Sequence, residues 1–308
     1  ATIDGIDGNR VAVFNQELLD NQVWEQYVID SLDRAIAAEE FKVYLQPKYN
    51  PVTKTIEGAE ALVRWINDEY GFISPGKFIP ILEKTGLIVK LDDYMLAHVA
   101  QLQARWISEE KNTVRISVNV SRAHFAHPNL AEHIRSIVDT YATPHELVEI
   151  ELTESAFFDD KNLLVNTGKR LKSYGFEVSM DDFGAGYSSL NSLKDLSLDV
   201  LKLDADFFRG DDDEKRGEIV VSEAICLAKR LEMQIVAEGI EKKEQVDFLA
   251  ECGCDLIQGY YFAKPMPIGE YEKLAYEEKA IGGSKFSKPE QPTTEEAETT
   301  QKAQDEQT

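Results

Sequence analysis

The sequence predicts a (β/α)8 barrel, an α/β architecture built from one repeated unit. Three observations carry that reading. Eight short β-rich segments recur along the chain, most of them separated by longer helical segments. The 308 residues are 43% hydrophobic, enough for one large core. Almost every β-rich segment also ends in an ionisable or amide side chain, where a barrel of this kind keeps its chemistry. An open doubly wound sheet is the competing arrangement, and strand count alone does not separate the two.

Taken in order, residues 1–21 show little patterning. Gln22–Glu40 reads as a helix, with Val23, Tyr27, Ile29, Leu32, Ala35 and Ile36 at apolar positions. The strand candidates are Phe41–Tyr49, Ala59–Trp65, Val114–Val120, Leu147–Leu152, Phe176–Asp181, Val200–Leu203, Gln234–Ala237 and Leu256–Gln258. Helices between them include Leu91–Glu109, Leu130–Tyr141, Asn162–Tyr174, Gly217–Leu231 and Lys243–Glu251. From Gly282 the chain is rich in Glu, Gln, Thr, Pro and Lys, and no core can be built from it. The expected organisation is a lead-in over 1–31, a barrel over 32–281 and a disordered acidic tail over 282–308. Asp211-Asp212-Asp213-Glu214 reads as a solvated loop between a strand and a helix.

Interior positions alternate along a strand, so parity can be read directly. The fifth strand runs into Asp181-Asp182 and then Gly184-Ala185-Gly186. Adjacent carboxylates repel each other, and a divalent cation removes that penalty. A strand end closed by an Asx-type turn is the plainer alternative. The other strands supply partners. Glu60 and Arg64 share a parity on the second strand. Asn119 lies near the end of the third, and Glu151 near the end of the fourth, with Glu154 in the loop beyond. Lys202 and Asp204 share a parity on the sixth, the seventh runs into Glu238, and the eighth ends in Gln258. Any one of these has an ordinary explanation as a helix cap, a turn former or a structural ion pair. Seven strands in succession argue for a site. The set is oxygen-rich and contains no His or Cys, which favours Mg²⁺ or Mn²⁺ over Zn²⁺.

Composition narrows the classes further. The net charge of −23 opposes binding to duplex DNA, yet a small phosphorylated ligand fits if bound cations reverse the local field. No apolar run approaches the roughly 20 residues that span a bilayer, and no signal segment is present. The chain begins at Ala1 rather than Met, as expected of a piece trimmed from a longer protein. The odd set Cys226, Cys252 and Cys254 gives no disulfide framework and fits a reducing cytosol. Cys252-Gly253-Cys254 is one residue short of a metal knuckle and reads as structural. His124, His127 and His133 could bind a metal as a group, but polar positions facing solvent are the simpler account. No Gly-x-Ser-x-Gly elbow, Walker loop or dinucleotide fingerprint occurs.

A wider set of motifs carries a resemblance. Glu60-Ala61-Leu62-Val63-Arg64-Trp65 is joined by Gln46-Pro47, Phe78-Ile79-Pro80, Ser117-Val118-Asn119-Val120-Ser121 and Glu151-Leu152-Thr153-Glu154-Ser155. The run from Asp181 to Leu190, Leu201-Lys202-Leu203-Asp204, Val236-Ala237-Glu238-Gly239-Ile240-Glu241 and Gln258-Gly259-Tyr260 follow in order. This series, from about Leu32 to Pro267, resembles the EAL-domain phosphodiesterases of bacterial cyclic di-GMP signalling. The resemblance implies a TIM-like barrel whose first strand runs antiparallel to the rest. It implies hydrolysis of cyclic di-GMP to linear pGpG with two Mg²⁺ or Mn²⁺ ions per active site.

Carried over by residue, the resemblance makes Glu60, Asn119, Glu151 and Asp181 ligands of one ion. Asp181 bridges to the second, which Asp182 and Glu238 complete. Glu238 also matches a general base, Lys202 the group that holds the attacking water or the phosphate, and Asp204 its support. Gln46, Leu62 and Arg64 match substrate-contacting positions, Gln258 orders the same region, and Glu154 steadies the loop after Asp182. That loop is linked in the family to dimerisation, so a homodimer is expected. Ala185 and Leu45 stand where the family often has Thr and Tyr. The alternative within the family is a receptor that holds cyclic di-GMP without turning it over; here every metal-binding position is filled, which favours the enzyme. A cytoplasmic location is expected, with no membrane contact in these residues and any sensory, cyclase-like or membrane segment upstream of them.

Overall fold

The computed structural model describes residues 2–4, 10–12, 16–126, 129–153, 161–183, 198–208, 214–277 and 280–281. The side chains of residues 2–4, 10–12, 16–18, 153, 161, 182, 214 and 215 lie outside that description. A short antiparallel hairpin, β1 (Thr2–Asp4) and β2 (Arg10–Ala12), precedes helix α1 (Gln16–Ala37), which starts earlier than the pattern from Gln22 suggests. Then come β3 (Phe41–Tyr49), β4 (Ile56–Asn67), β5 (Gly71–Ile73), α2 (Pro75–Thr85), α3 (Ile88–Ser108), β6 (Arg115–Val120) and α4 (Leu130–Asp139). Next are β7 (Val148–Thr153), α5 (Lys161–Ser173), β8 (Glu177–Phe183), β9 (Val200–Leu203), α6 (Glu214–Arg230) and β10 (Gln234–Ala237). The described chain closes with α7 (Lys243–Glu251), β11 (Leu256–Ile257), β12 (Met266–Pro267), α8 (Ile268–Glu272) and a π-helical turn (Lys273–Glu277).

Eight of these strands form a closed ring in the order β3-β4-β6-β7-β8-β9-β10-β11, because β3 pairs with both β4 and β11. β3 is antiparallel to both neighbours, and every other pairing in the ring is parallel. The fold is thus a TIM-like barrel with an antiparallel first strand, and closure excludes the doubly wound sheet. Alternation along the strands sorts the side chains. Ala59, Ile116, Val118, Ile150, Val178, Leu201 and Ile235 belong to the large core between the strands and the helices. Val200, Val236 and Leu256 form a separate small cluster at inward positions. Branched apolar side chains fill most barrel interiors. Here they fill the lower interior on β9, β10 and β11 only, and the inward positions above them carry Lys202, Glu238 and Gln258.

β3 and β4 span 9 and 12 residues, more than the other strands of the ring. Their pairing continues to Phe41↔Trp65, so a two-stranded ribbon rises past the barrel mouth. A second core covers it: Phe41, Trp65, Phe78, Leu82, Ile88 and Leu91, with Val28 and Leu32 of α1. Helix α2, absent from the sequence reading, supplies Phe78 and Leu82 from one face at i, i+4 spacing. Pro75 at its start and Pro80 within it mask the helical pattern, although proline is well suited to a first turn. Glu40 ties the ribbon to the end of α1. Its Oε2 accepts from Trp65 Nε1 and Asn67 Nδ2, each at 2.8 Å, and its Oε1 accepts from Arg34 at 2.9 Å. No described helix is long and apolar enough to cross a membrane.

Candidate active site

The site is built on strand β9. Leu201 and Leu203 face the outer core, which turns Lys202 inward, where it is 1% exposed. Four carboxylates, three from β4, β7 and β8 and one from the residue just past β10, converge on its ammonium. Nζ lies 2.8 Å from Glu238 Oε1, 2.9 Å from Asp181 Oδ1, 3.0 Å from Glu151 Oε2 and 3.7 Å from Glu60 Oε2. Strand register explains the convergence, since Asn119 pairs with Glu151, Thr153 with Asp181, and Lys202 with Val236 just below Glu238.

Amides orient Glu60. Asn119 Nδ2 donates to its Oε1 at 3.0 Å, and Gln258 Nε2 donates to its Oε2 at 2.5 Å. Gln258 also donates to Gln46 Oε1 at 3.1 Å, and Gln46 Nε2 donates to the Ala263 carbonyl at 3.1 Å. Two glycines let this corner close. A Cβ on Gly239, which has φ +63°, would stand 2.4 Å from Ala205 Cβ, and one on Gly259 would stand 2.1 Å from the Ile240 carbonyl oxygen. The loops carrying Glu238 and Gln258 therefore pack backbone against side chain and backbone against backbone.

The charges in this cluster are strongly interdependent. Burial raises the Glu60 carboxyl to about 7, with Lys202 opposing the rise. Burial likewise holds Glu238 well above the usual carboxylate range. Glu151 goes the other way: burial opposes its charge, but Lys202 and Lys48 outweigh burial and bring it to about 2. Lys202 keeps its proton despite burial because Asp181, Glu151, Glu238 and Glu60 surround it. Folded Glu60 and Glu238 thus retain protons that the unfolded chain gives up near pH 4.5. The Glu60 contribution to stability falls as pH rises through about 4.5 to 7, and the Glu238 contribution changes in the same direction. The Glu151 contribution is present above about 4.5 and is lost as the pH falls toward 2. In EDTA, melting temperature is expected to fall between about pH 5 and about pH 8. A calorimetric profile that is flat or rises over that range contradicts the assignment.

The donor set fits hard divalent cations. An ammonium has three N–H bonds and cannot aim one at each of four carboxylates. Glu151 Oε2 and Glu238 Oε1 are within ion-pair distance of Lys202, yet both are buried without an aligned hydrogen bond. That unspent acceptor capacity, all oxygen, suits Mg²⁺ or Mn²⁺. Among the described residues no three His, Cys, Asp or Glu side chains stand preassembled as a coordination group, because the carboxylates close on Lys202 instead.

The structure brings together Gln46, Glu60, Asn119, Glu151, Asp181, Lys202, Glu238 and Gln258. Leu62 and Arg64 line an adjoining cleft of about 260 Å³ with Asn119, Ser121, Glu83 and Asp92. Arg64 donates to the Val63 carbonyl at 2.8 Å, and its guanidinium lies 5.6 Å from the Tyr44 ring centre. Asp204 is not placed as expected. Its Oδ1 accepts from Asp206 N at 2.7 Å, so it closes the 3-10 turn Ala205–Phe208 rather than bonding Lys202. Asp182 lies on β8 with its side chain outside the description, and Glu154, His127, the loop 184–190, the charge run 211–213 and residues 282–308 also lie outside the described residues.

Sequence reasoning missed Lys48, Ser117 and Glu149, all buried beneath the cluster. Parity was the available signal, since they share it with Gln46, Asn119 and Glu151. His124 also departs from expectation. It is 2% exposed, with Nε2 3.4 Å from Asp92 and 3.9 Å from Asp93, so it is a core residue rather than a solvent-facing one. His133 bonds Asp93 at 2.8 Å. Cys254 is buried, its thiol pushed up to about 12 by burial, and it donates to the Leu256 carbonyl at 3.2 Å, in keeping with a structural role.

Comparison with known proteins places this geometry. The bifunctional diguanylate cyclase/cyclic di-GMP phosphodiesterase MucR of Pseudomonas aeruginosa is 32% identical over 259 residues, 84% of this chain and 38% of that protein. Cyclic di-GMP phosphodiesterase PdeR of Escherichia coli is 31% identical over 262 residues, 85% of this chain and 39% of that protein. The chain therefore spans about two-fifths of the length of these relatives. Among solved structures, the MucR phosphodiesterase in complex with c-di-GMP superposes with a TM-score of 0.74 at 32% identity, covering 80% of this chain and 99% of that one. The EAL enzyme Bd1971, bound to cAMP and cyclic di-GMP, gives 0.76 at 28% identity, covering 84% and 70%. The EAL domain profile matches residues 29–265, and this chain belongs to the EAL domain family.

Proposed function

We propose that the chain is a metal-dependent phosphodiesterase that hydrolyses cyclic di-GMP to linear pGpG. The observation that supports this most is the convergence of four buried carboxylates on Lys202 at the mouth of the barrel, beside the cleft that Arg64 lines. Glu60, Asn119, Glu151, Asp181, Asp182 and Glu238 would hold two Mg²⁺ or Mn²⁺ ions. When bound, such ions supply acidity to a water molecule and positive charge to the phosphate. The chain's own groups do the rest. Arg64 offers a planar fork to a phosphate oxygen. Lys202 donates to the attacking water or to the phosphate, and Glu238, which burial holds protonated, would be ionised beside bound cations and would then accept a proton from that water. The water oxygen bonds to phosphorus, one ester bond of the ring breaks, and the leaving oxygen takes a proton. Gln46 and Gln258 keep Glu60 aimed at the centre. A cytoplasmic homodimer belongs to the same reading and rests on the resemblance alone.

Incubation with cyclic di-GMP and Mn²⁺, followed by chromatography, is expected to yield pGpG. Glu60→Ala is expected to lower turnover by at least about 100-fold, by removing a ligand and the acceptor of two amide bonds. Binding without product would leave a receptor that holds the nucleotide. Neither binding nor product would remove the proposal.

A further inference from the structure

A second buried ammonium lies beneath the carboxylates. Lys48 is 1% exposed and sits on β3 two positions from Gln46. Its Nζ donates to Ser117 Oγ at 2.8 Å and to Glu151 Oε1 at 3.2 Å, and stands 3.4 Å from Glu149 Oε1. Gly58, its partner across the ladder, leaves the room: an added Cβ there would already touch Lys48 Cβ and Cδ at 3.5 Å. Lys48 and Glu149 carry opposite charges, so together they add no net charge to the site. What they add is direction. Glu151 is tied at Oε1 to Lys48, while its Oε2 faces Lys202 at 3.0 Å.

We infer that Lys48 is a positioning residue: it anchors one oxygen of Glu151, commits the other to the cation position, and so sets the affinity of the site for divalent cations. This rests on the proposed role of Glu151 as a cation ligand. Partners that orient a metal ligand commonly change metal affinity by about 10- to 100-fold when removed. The competing role is neutralisation of Glu149 inside the barrel.

Two variants separate the roles. Lys48→Met leaves Glu149 unpaired. Lys48→Met/Glu149→Leu removes the pair as a neutral unit, and apolar replacement of a buried pair is often tolerated. Mn²⁺ dissociation constants from calorimetry without substrate, with thermal melts alongside, give a readout independent of turnover. The double variant is expected to melt near the wild type yet bind Mn²⁺ about tenfold or more weakly. Wild-type affinity in the double variant overturns the inference, whether or not the single variant folds, and leaves the proposed function standing. A wild-type chain that neither binds Mn²⁺ nor hydrolyses cyclic di-GMP removes both.

Discussion

Lys202→Met is expected to make the fold depend on divalent cations. The substitution keeps most of the side-chain volume but removes the one ammonium that Glu60, Glu151, Asp181 and Glu238 share. Breaking a buried ion pair from one side typically costs about 3–5 kcal/mol, because the remaining charge is left unpaired. For a domain of this size that is a fall of roughly 6–20 °C in melting temperature. The loss is expected in EDTA, and Mn²⁺ is expected to restore most of it, since ions bound only by the folded state stabilise it by mass action. Turnover is expected to fall by at least about 100-fold even at saturating Mn²⁺, because the donor to water or phosphate is gone. Differential scanning calorimetry with and without Mn²⁺ checks the first part. A variant that melts with the wild type in EDTA would show that Lys202 is not the counter-ion of the cluster.

Among the described glycines, Gly259→Ala is expected to be the most damaging substitution by alanine. The new Cβ would lie 2.1 Å from the carbonyl oxygen and 2.3 Å from the nitrogen of Ile240. Both are backbone atoms and cannot swing aside. Moving them strains the bonds from Ile240 N to the Gln258 carbonyl at 3.2 Å and from Tyr261 N to the Ile240 carbonyl at 3.0 Å. A cost of about 3 kcal/mol or more is expected, in the range that marks forced overpacking. Gln258 would shift with the loop and lose its hold on Glu60, so hydrolysis should fall as well. Gly168→Ala is the matched control. Nothing lies within 4 Å of the position its new methyl would take on helix α5, and alanine is the better helix former by roughly 1 kcal/mol. Urea titrations of both variants should move in opposite directions.

Much of the fold was legible because period and punctuation are local. The strand pattern alone placed Val200–Leu203 and Gln234–Ala237 without error, as each alternates between an outer apolar face and the barrel interior. Strand direction left no local trace. β3 reads like any other strand, and its antiparallel course came from the family resemblance, then from its pairings. Helix α2 was hidden by prolines. The cluster around Lys202 was visible as a run of polar strand ends, but Lys48 was not, because it lies within a strand and its partners are 69 and 101 residues away. Asp204 shows the opposite error: it shares the parity of Lys202, yet lies one step past the strand, where turn geometry claims its carboxylate.

The β3–β4 ribbon has a mechanical consequence. Helix α1 enters it through the turn before Phe41. The segment beyond the last barrel strand returns to it twice, where Met266 and Pro267 pair with Leu45 and Tyr44, and where Ile56 N donates to the Ala280 carbonyl at 2.7 Å. Tension applied at either side of the barrel is therefore loaded onto the same ladder, which carries Gln46, Glu60 and Arg64 along its length. A pull transmitted through either attachment is loaded onto the wall of the barrel mouth that carries these three side chains.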